Sequence, residues 1–187
     1  MPLSVMVALL ASTLTPGSSF GRADTIGAVA DTLGRFPSVE GRNLEDERFS
    51  LPADLRSPLN VVLVAFKREQ QEDVDTWMPF LKTLHEGRRD LSVYELPTLG
   101  RRYRLMRSFI DGGMRRGIPD SAVRAATITM YIDKTPFRES LRLRDEDRIY
   151  VLLVDREGRV FWRSEGRFTQ TAGDELSRRI DEAAPVR

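Results

Sequence analysis

Cysteine is absent from the 187 residues. That absence excludes disulfides, thiol catalysis, thiolate metal sites and lipoprotein attachment together. It is compatible with either redox compartment. Histidine occurs once, as His85, so a Ser-His-Asp triad or a zinc centre would have to form around a single imidazole near a helix end; neither is expected. His85 reads instead as a solvated helix-end residue favoured by the helix dipole. A surplus of one charge is also lacking. The net charge of +1 argues against a general nucleic-acid binder, which needs excess Lys and Arg. No metal ion, cofactor or catalytic residue is expected. The apolar segment Leu3–Leu14 falls short of the roughly 20 residues that span a bilayer.

Hydrophobic residues make up 41% of the chain and charged residues 30%, which suits one soluble domain with a real core. The chain is organised around Asn60–Phe80, NVVLVAFKREQQEDVDTWMPF. Its run Val61-Val62-Leu63-Val64-Ala65-Phe66 has the pattern of a strand buried on both faces. Val74, Trp77, Met78, Leu81 and Leu84 then recur at helical spacing. A helix is predicted over about Glu72–Glu86, with Asp73 and Asp75 in its first turn, a kink at Pro79 and a stop at Gly87. A buried strand feeding an amphipathic helix is half of a βα unit. The loop between them lies where open α/β sheets usually place their chemistry. Here that loop is Lys67–Asp73, KREQQED, without Cys, His, Ser or Gly.

Leu3–Leu14, the Pro/Gly/Ser break after it and the Gly21-Arg22-Ala23 ending predict a signal peptide over 1–23 and a protein exported to the periplasm or another extracytoplasmic site. No Lys or Arg precedes the apolar core, so a retained anchor is the competing expectation. Residues 24–35 read as a linker or loose arm. Phe36–Arg42 and Arg48–Pro52 read as a small edge hairpin. Leu91–Leu96 alternates as a second strand. Leu99–Arg116 reads as a helix with one apolar stripe, Tyr103, Met106, Phe109-Ile110 and Met114. A short helix follows Asp120. Ala126–Ile132 is a third strand, and Pro136–Leu143 a helical turn packed by Phe137 and Leu141. Arg148–Trp162 is a hairpin turning at Asp155–Gly158, and Thr169–Ala184 a closing amphipathic helix.

This order resembles the thioredoxin-like fold: α/β, a three-layer sandwich with a mixed central sheet, here over 36–187 with an amino-terminal β-hairpin extension. Enzymes of that fold carry Cys-x-x-Cys ahead of a helix-kinking Pro. Counting back from Pro79 puts those positions at Gln71 and Val74. They also carry a cis-Pro before the terminal hairpin, and Ile149 stands near that place. With no thiolate at either position, disulfide exchange and peroxidase activity are excluded. Over Phe36–Phe168 the chain more closely resembles the mitochondrial ATP synthase assembly factors acting on the proton-channel subunit, and their bacterial relatives. The residues carrying this are Val64-Ala65-Phe66-Lys67, Trp77-Met78-Pro79-Phe80, Met114-Arg115 with Ile118-Pro119, Phe137-Arg138 with Leu141, and Tyr150–Asp155 leading to Gly158-Arg159 and Trp162. The resemblance implies a non-enzymatic chaperone or assembly role at an inner membrane. The amino terminus is not an Arg-rich transit peptide, so a mitochondrial client does not carry over.

The residues expected to meet a protein client, one embedded in a membrane included, are Lys67, Arg68, Gln71, Val74, Trp77 and Ile149. For Trp77 the competing reading is ordinary core. Arg101, Arg102, Arg104 and Arg107 would meet a membrane surface peripherally, or simply form a solvated face. Asp145-Glu146-Asp147 lacks calcium-loop spacing and reads as a turn. Asp133, Asp155 and Glu165 fall in or near turns, and no partner pairs them for acid–base work. Gly112-Gly113 is not a phosphate loop, because no Lys-Ser/Thr follows. The alternative to a binding module is a cysteine-free enzyme of the thioredoxin superfamily or an accessory protein of a redox pathway.

Overall fold

The computed structural model describes residues 33–183. The predicted signal peptide and most of the arm lie outside them. Seven strands form one mixed sheet in the order β2-β1-β5-β4-β3-β6-β7. The predicted hairpin, β1 (Val39–Asn43) and β2 (Arg48–Leu51), sits at one edge and joins through β1 to β5 (Ile128–Ile132). β3 (Leu59–Ala65) leads through a short 3-10 helix, Arg68–Gln70, into α1 (Gln71–Glu86) and β4 (Leu91–Gly100). A second 3-10 helix, Arg101–Met106, precedes α2 (Arg107–Gly117) and α3 (Ser121–Ala126). After β5 come α4 (Lys134–Ser140), β6 (Tyr150–Asp155), β7 (Val160–Glu165) and α5 (Gln170–Ala183).

All seven residues of β3 are buried, because β4 flanks it in parallel and β6 in antiparallel pairing. The register pairs Val61 with Leu153 and Val64 with Tyr150, so the two strands expected to be neighbours are. Alternation then divides the side chains. Val62 and Val64 join Tyr94, Leu96, Ile128, Met130 and Leu152 in a core closed by Phe137, Leu141 and Phe36. Val61 and Leu63 join Val151 and Leu153 in a second core under Val74, Trp77 and Leu81 of α1 and Leu176 and Ile180 of α5. Each buried aliphatic side chain contributes about 1.5–3 kcal/mol. A one-residue slip would exchange the two faces, so the apolar pattern holds the register. Thr129 and Tyr131 alternate with Ile128 and Met130; their hydroxyls meet Asp111 at 3.3 and 2.8 Å, which fixes α2 on the face that α1 covers.

Two elements differ from expectation. β4 runs on to Gly100 through Pro97. Pro97 pairs with Ala65, the last residue of β3, and the β5 ladder begins at Thr98. The missing N–H falls where one partner strand hands over to the other, which is why a central strand tolerates it. The second difference is at 101–117. Neither the 3-10 helix nor α2 buries a residue. The stripe predicted to pack leaves Met106 51% and Phe109 74% exposed. The reason is position: the segment lies over the flank of the sheet and is held by polar contacts such as Asp111. In the terminal hairpin, Gly158 has φ of +82°, and a Cβ there would lie 2.6 Å from the Phe36 carbonyl oxygen, so the turn requires glycine.

Candidate functional site

The carboxyl ends of β3, β4 and β5 share one edge of the sheet, since these strands run parallel. The predicted loop over 67–73 is almost entirely helical. Gln70 holds it: its Oε1 accepts from the Phe66 and Lys67 N–H groups at 2.7 and 3.1 Å, and its Nε2 donates to the Glu146 carbonyl at 2.8 Å. Sequence reasoning did not single out Gln70, because a polar residue in a polar run carries no mark of burial.

Lys67, Arg68 and Gln71 are exposed around this turn. Lys67 Nζ lies 2.6 Å from Asp147, and that bond raises its pKa. Gln71 opens α1 and donates to Asp75 at 3.0 Å. The other three expected contact residues are corrected. Val74, Trp77 and Ile149 each have 0% exposure and share the core beneath α1. Val74, Trp77 and Leu81 follow the i, i+3, i+7 stride that turns a helix face to a sheet. Trp77 meets Trp162 and Phe168 edge-on at 6.2 and 5.2 Å and donates its indole N–H to the Gly166 carbonyl at 2.9 Å. These side chains offer a partner no surface; of the six, Lys67, Arg68 and Gln71 stay exposed.

The acids weighed for proton transfer are structural. Asp155 Oδ1 accepts from the Glu157 and Arg159 N–H groups at 3.0 and 2.9 Å, and Oδ2 meets the Arg159 guanidinium. Asp133 caps α4 through the Thr135 N–H, and Glu165 pairs with Arg148 at 3.3 Å. The carboxylate that does stand apart is Glu95, which sequence reasoning passed over. It lies on β4 opposite Leu63, beneath the start of α1. Burial pushes its pKa from 4.5 up to about 7, Gln71 opposes through a hydrogen bond, and Asp75 adds a further rise. The signal was present: Leu91, Val93 and Glu95 share a strand face, and Leu91 faces the α1 core.

The family model for the ATP10 protein matches residues 30–182. The chain belongs to the ATP10 protein family. That membership covers the ATP synthase assembly-factor resemblance seen in the motifs. No curated protein matches the chain significantly by sequence. Solved structures share the fold. Yeast Sco1 is 12% identical with a TM-score of 0.56, covering 82% of this chain and 98% of that one. BsSco, a member of the Sco family of cytochrome c oxidase assembly proteins, is 13% identical with a TM-score of 0.54, over 80% and 94%. The exposed lipoprotein thioredoxin Etrx1 of Streptococcus pneumoniae is 11% identical with a TM-score of 0.51, over 78% and 99%. The fold is thioredoxin-like, and this member of the ATP10 family carries it without a cysteine.

Proposed function

We propose that this ATP10-family chain is a redox-inactive module that holds a membrane-protein client during assembly of a complex, the ATP synthase being the first candidate. One observation carries the reading. The two positions that would bear thiols hold Gln71, exposed and uncharged, and Val74, sealed in the core. Neither can act as a nucleophile or base. What the edge retains is a rim of Lys67, Arg68 and Gln71 on a rigid scaffold. Capture of an extended segment by backbone pairing needs no sulfur. The apolar segment Leu3–Leu14 supports export, and the reading has the encounter occur outside the cytoplasm at the inner membrane. The test is a photoreactive residue at Gln71 in intact cells, with amino-terminal sequencing of the captured protein to read its processing. Repeated capture of one membrane protein, lost on Lys67→Glu with Arg68→Glu, is expected. Capture of nothing overturns the reading.

Glu95 favours a second reading. A carboxyl with a pKa of about 7 beside the vacated thiol position is poised for general acid–base work. Turnover of a substrate by the purified protein that disappears in Glu95→Gln would replace the binding reading with an enzymatic one.

A further inference from the structure

The geometry points to a docking site for anionic phospholipid headgroups in the arginine-lined cleft between the Arg101–Met106 helix and the paired strands β1 and β5, with Leu105, Met106 and Phe109 entering the apolar zone beside it. This deepens the client reading above and rests on it, since a module serving a membrane protein must reach the membrane surface.

The cleft encloses about 560 Å³ and is lined by Arg42, Arg48, Arg101, Arg104 and Arg107, a volume within the usual range for small-ligand sites. Two acids share the wall, Glu40 and Asp133. Both are engaged: Glu40 accepts from Ser50 Oγ at 2.9 Å, and Asp133 caps α4. Among the described residues, Arg48, Arg101 and Arg104 have no carboxylate partner. Arg42 and Arg107 each bury an Nε that meets no hydrogen-bond acceptor. The nearest acid to Arg107, Asp111, is 3.8 Å from that Nε, too far for a hydrogen bond. The Arg107 guanidinium is instead held over the Tyr131 ring at 4.8 Å. Nearby Arg115 and Arg124, by contrast, are satisfied by Asp46 and Glu45. Arg42 also faces Asp46 at 3.6 Å, so the cleft's guanidinium groups free of a carboxylate are, among the described residues, those of Arg48, Arg101 and Arg104, and their planar donor forks match phosphate oxygens.

The backbone explains how three of these arginines come together. A 3-10 helix has three residues per turn, so side chains at i and i+3 eclipse. Arg101, Arg104 and Arg107 therefore stack along one face, towards the cleft. Leu105, between the arginines, turns outward at 98% exposure, and Phe109, in the first turn of α2, is 74% exposed. A soluble phosphate compound would account for the arginines and leave these apolar side chains unexplained. The interface of an anionic bilayer accounts for both: guanidinium groups at headgroup depth, Leu and Phe just below.

The test uses the full chain in flotation with phosphatidylcholine vesicles, with and without phosphatidylglycerol. Binding that needs phosphatidylglycerol and weakens with salt is expected. Arg101→Gln with Arg104→Gln should weaken it about 30-fold, from about 1 kcal/mol per basic residue near the surface. Leu105→Ser with Phe109→Ser should weaken it roughly tenfold or more. All four side chains are exposed, so the variants should melt as the parent does. Binding unchanged in both variants, as an amino-terminal segment acting alone would give, overturns the proposal. So does tight binding of glycerol phosphate or an acidic peptide without vesicle binding, or no binding at all. The vesicles hold no protein, so their result is separate from client capture at Gln71.

Discussion

Replacing Trp77 tests whether the helix that carries the vacated thiol positions is a recognition surface or a structural wall. Trp77 is among the largest fully buried side chains, with 0% exposure. Truncating a buried Trp to Ala costs about 3–5 kcal/mol, because the transfer energy of the ring is lost and the cavity collapses only in part. Against a typical domain stability of about 5–15 kcal/mol, Trp77→Ala should fold but with a much lower urea midpoint. Trp77→Phe isolates the polar part. It keeps ring contact with Phe168, now 5.2 Å away, and deletes the 2.9 Å bond to the Gly166 carbonyl. That bond, with the smaller ring, should cost about 1–2 kcal/mol. The assay is equilibrium urea unfolding followed by far-UV circular dichroism and by fluorescence of Trp162, the one tryptophan left. An unchanged slope with a shifted midpoint would assign the whole effect to the folded state. If Trp77→Ala lost less than about 1 kcal/mol while abolishing client capture, Trp77 would be a contact residue and the packing described above would be refuted.

Glu95→Gln should stabilise the protein at pH 8 by about 1–2 kcal/mol, and not at pH 4. The shift from 4.5 to about 7 corresponds to about 3 kcal/mol at most, and Glu95 keeps some contact with water. The folded state binds more protons than the unfolded one between these values, so the parent loses stability as pH rises from 4.5 through about 7 and the variant does not; equal pH slopes in urea melts would refute this. Gln70→Ala should cost about 1–3 kcal/mol, since it leaves the buried Phe66 N–H without its 2.7 Å acceptor. Hydrogen exchange at Phe66 should quicken in that variant, and unchanged protection would count against the role given to Gln70.

The layered fold was legible because the strands and helices of the core carry strong, unambiguous periods. Val61–Phe66 and Tyr150–Val154 are continuous apolar runs, and such runs stay buried only in the middle of a sheet. The stride of Val74, Trp77 and Leu81 marked the helix face. It also held the correction to the site: a stripe that regular belongs to the core, so Trp77 was better read by its phase than by its nearness to Gln71. Lys67, Arg68 and Gln71 were legible as a polar turn at a strand's carboxyl end, a matter of local order along the chain.

Chain order and alternation by themselves determined the two cores, the edge hairpin, the glycine turn at 158 and the loss of thiol chemistry. Each follows from a residue and its near neighbours. Three features waited on tertiary structure. Glu95 acquires its raised pKa only when α1 covers β4, since burial arises from elements distant in the chain. Gln70 becomes a buried anchor only once Glu146 stands 2.8 Å away. The arginines at 101, 104 and 107 converge with Arg42 and Arg48 only because the chain there takes three residues per turn instead of 3.6 and lies against β1 and β5. An α-helical period would turn each of these arginines about 60° further round the axis, whereas the 3-10 turn keeps Arg101 and Arg104 eclipsed. Which strands that face meets depends on contacts between residues distant in the chain, which no local period contains.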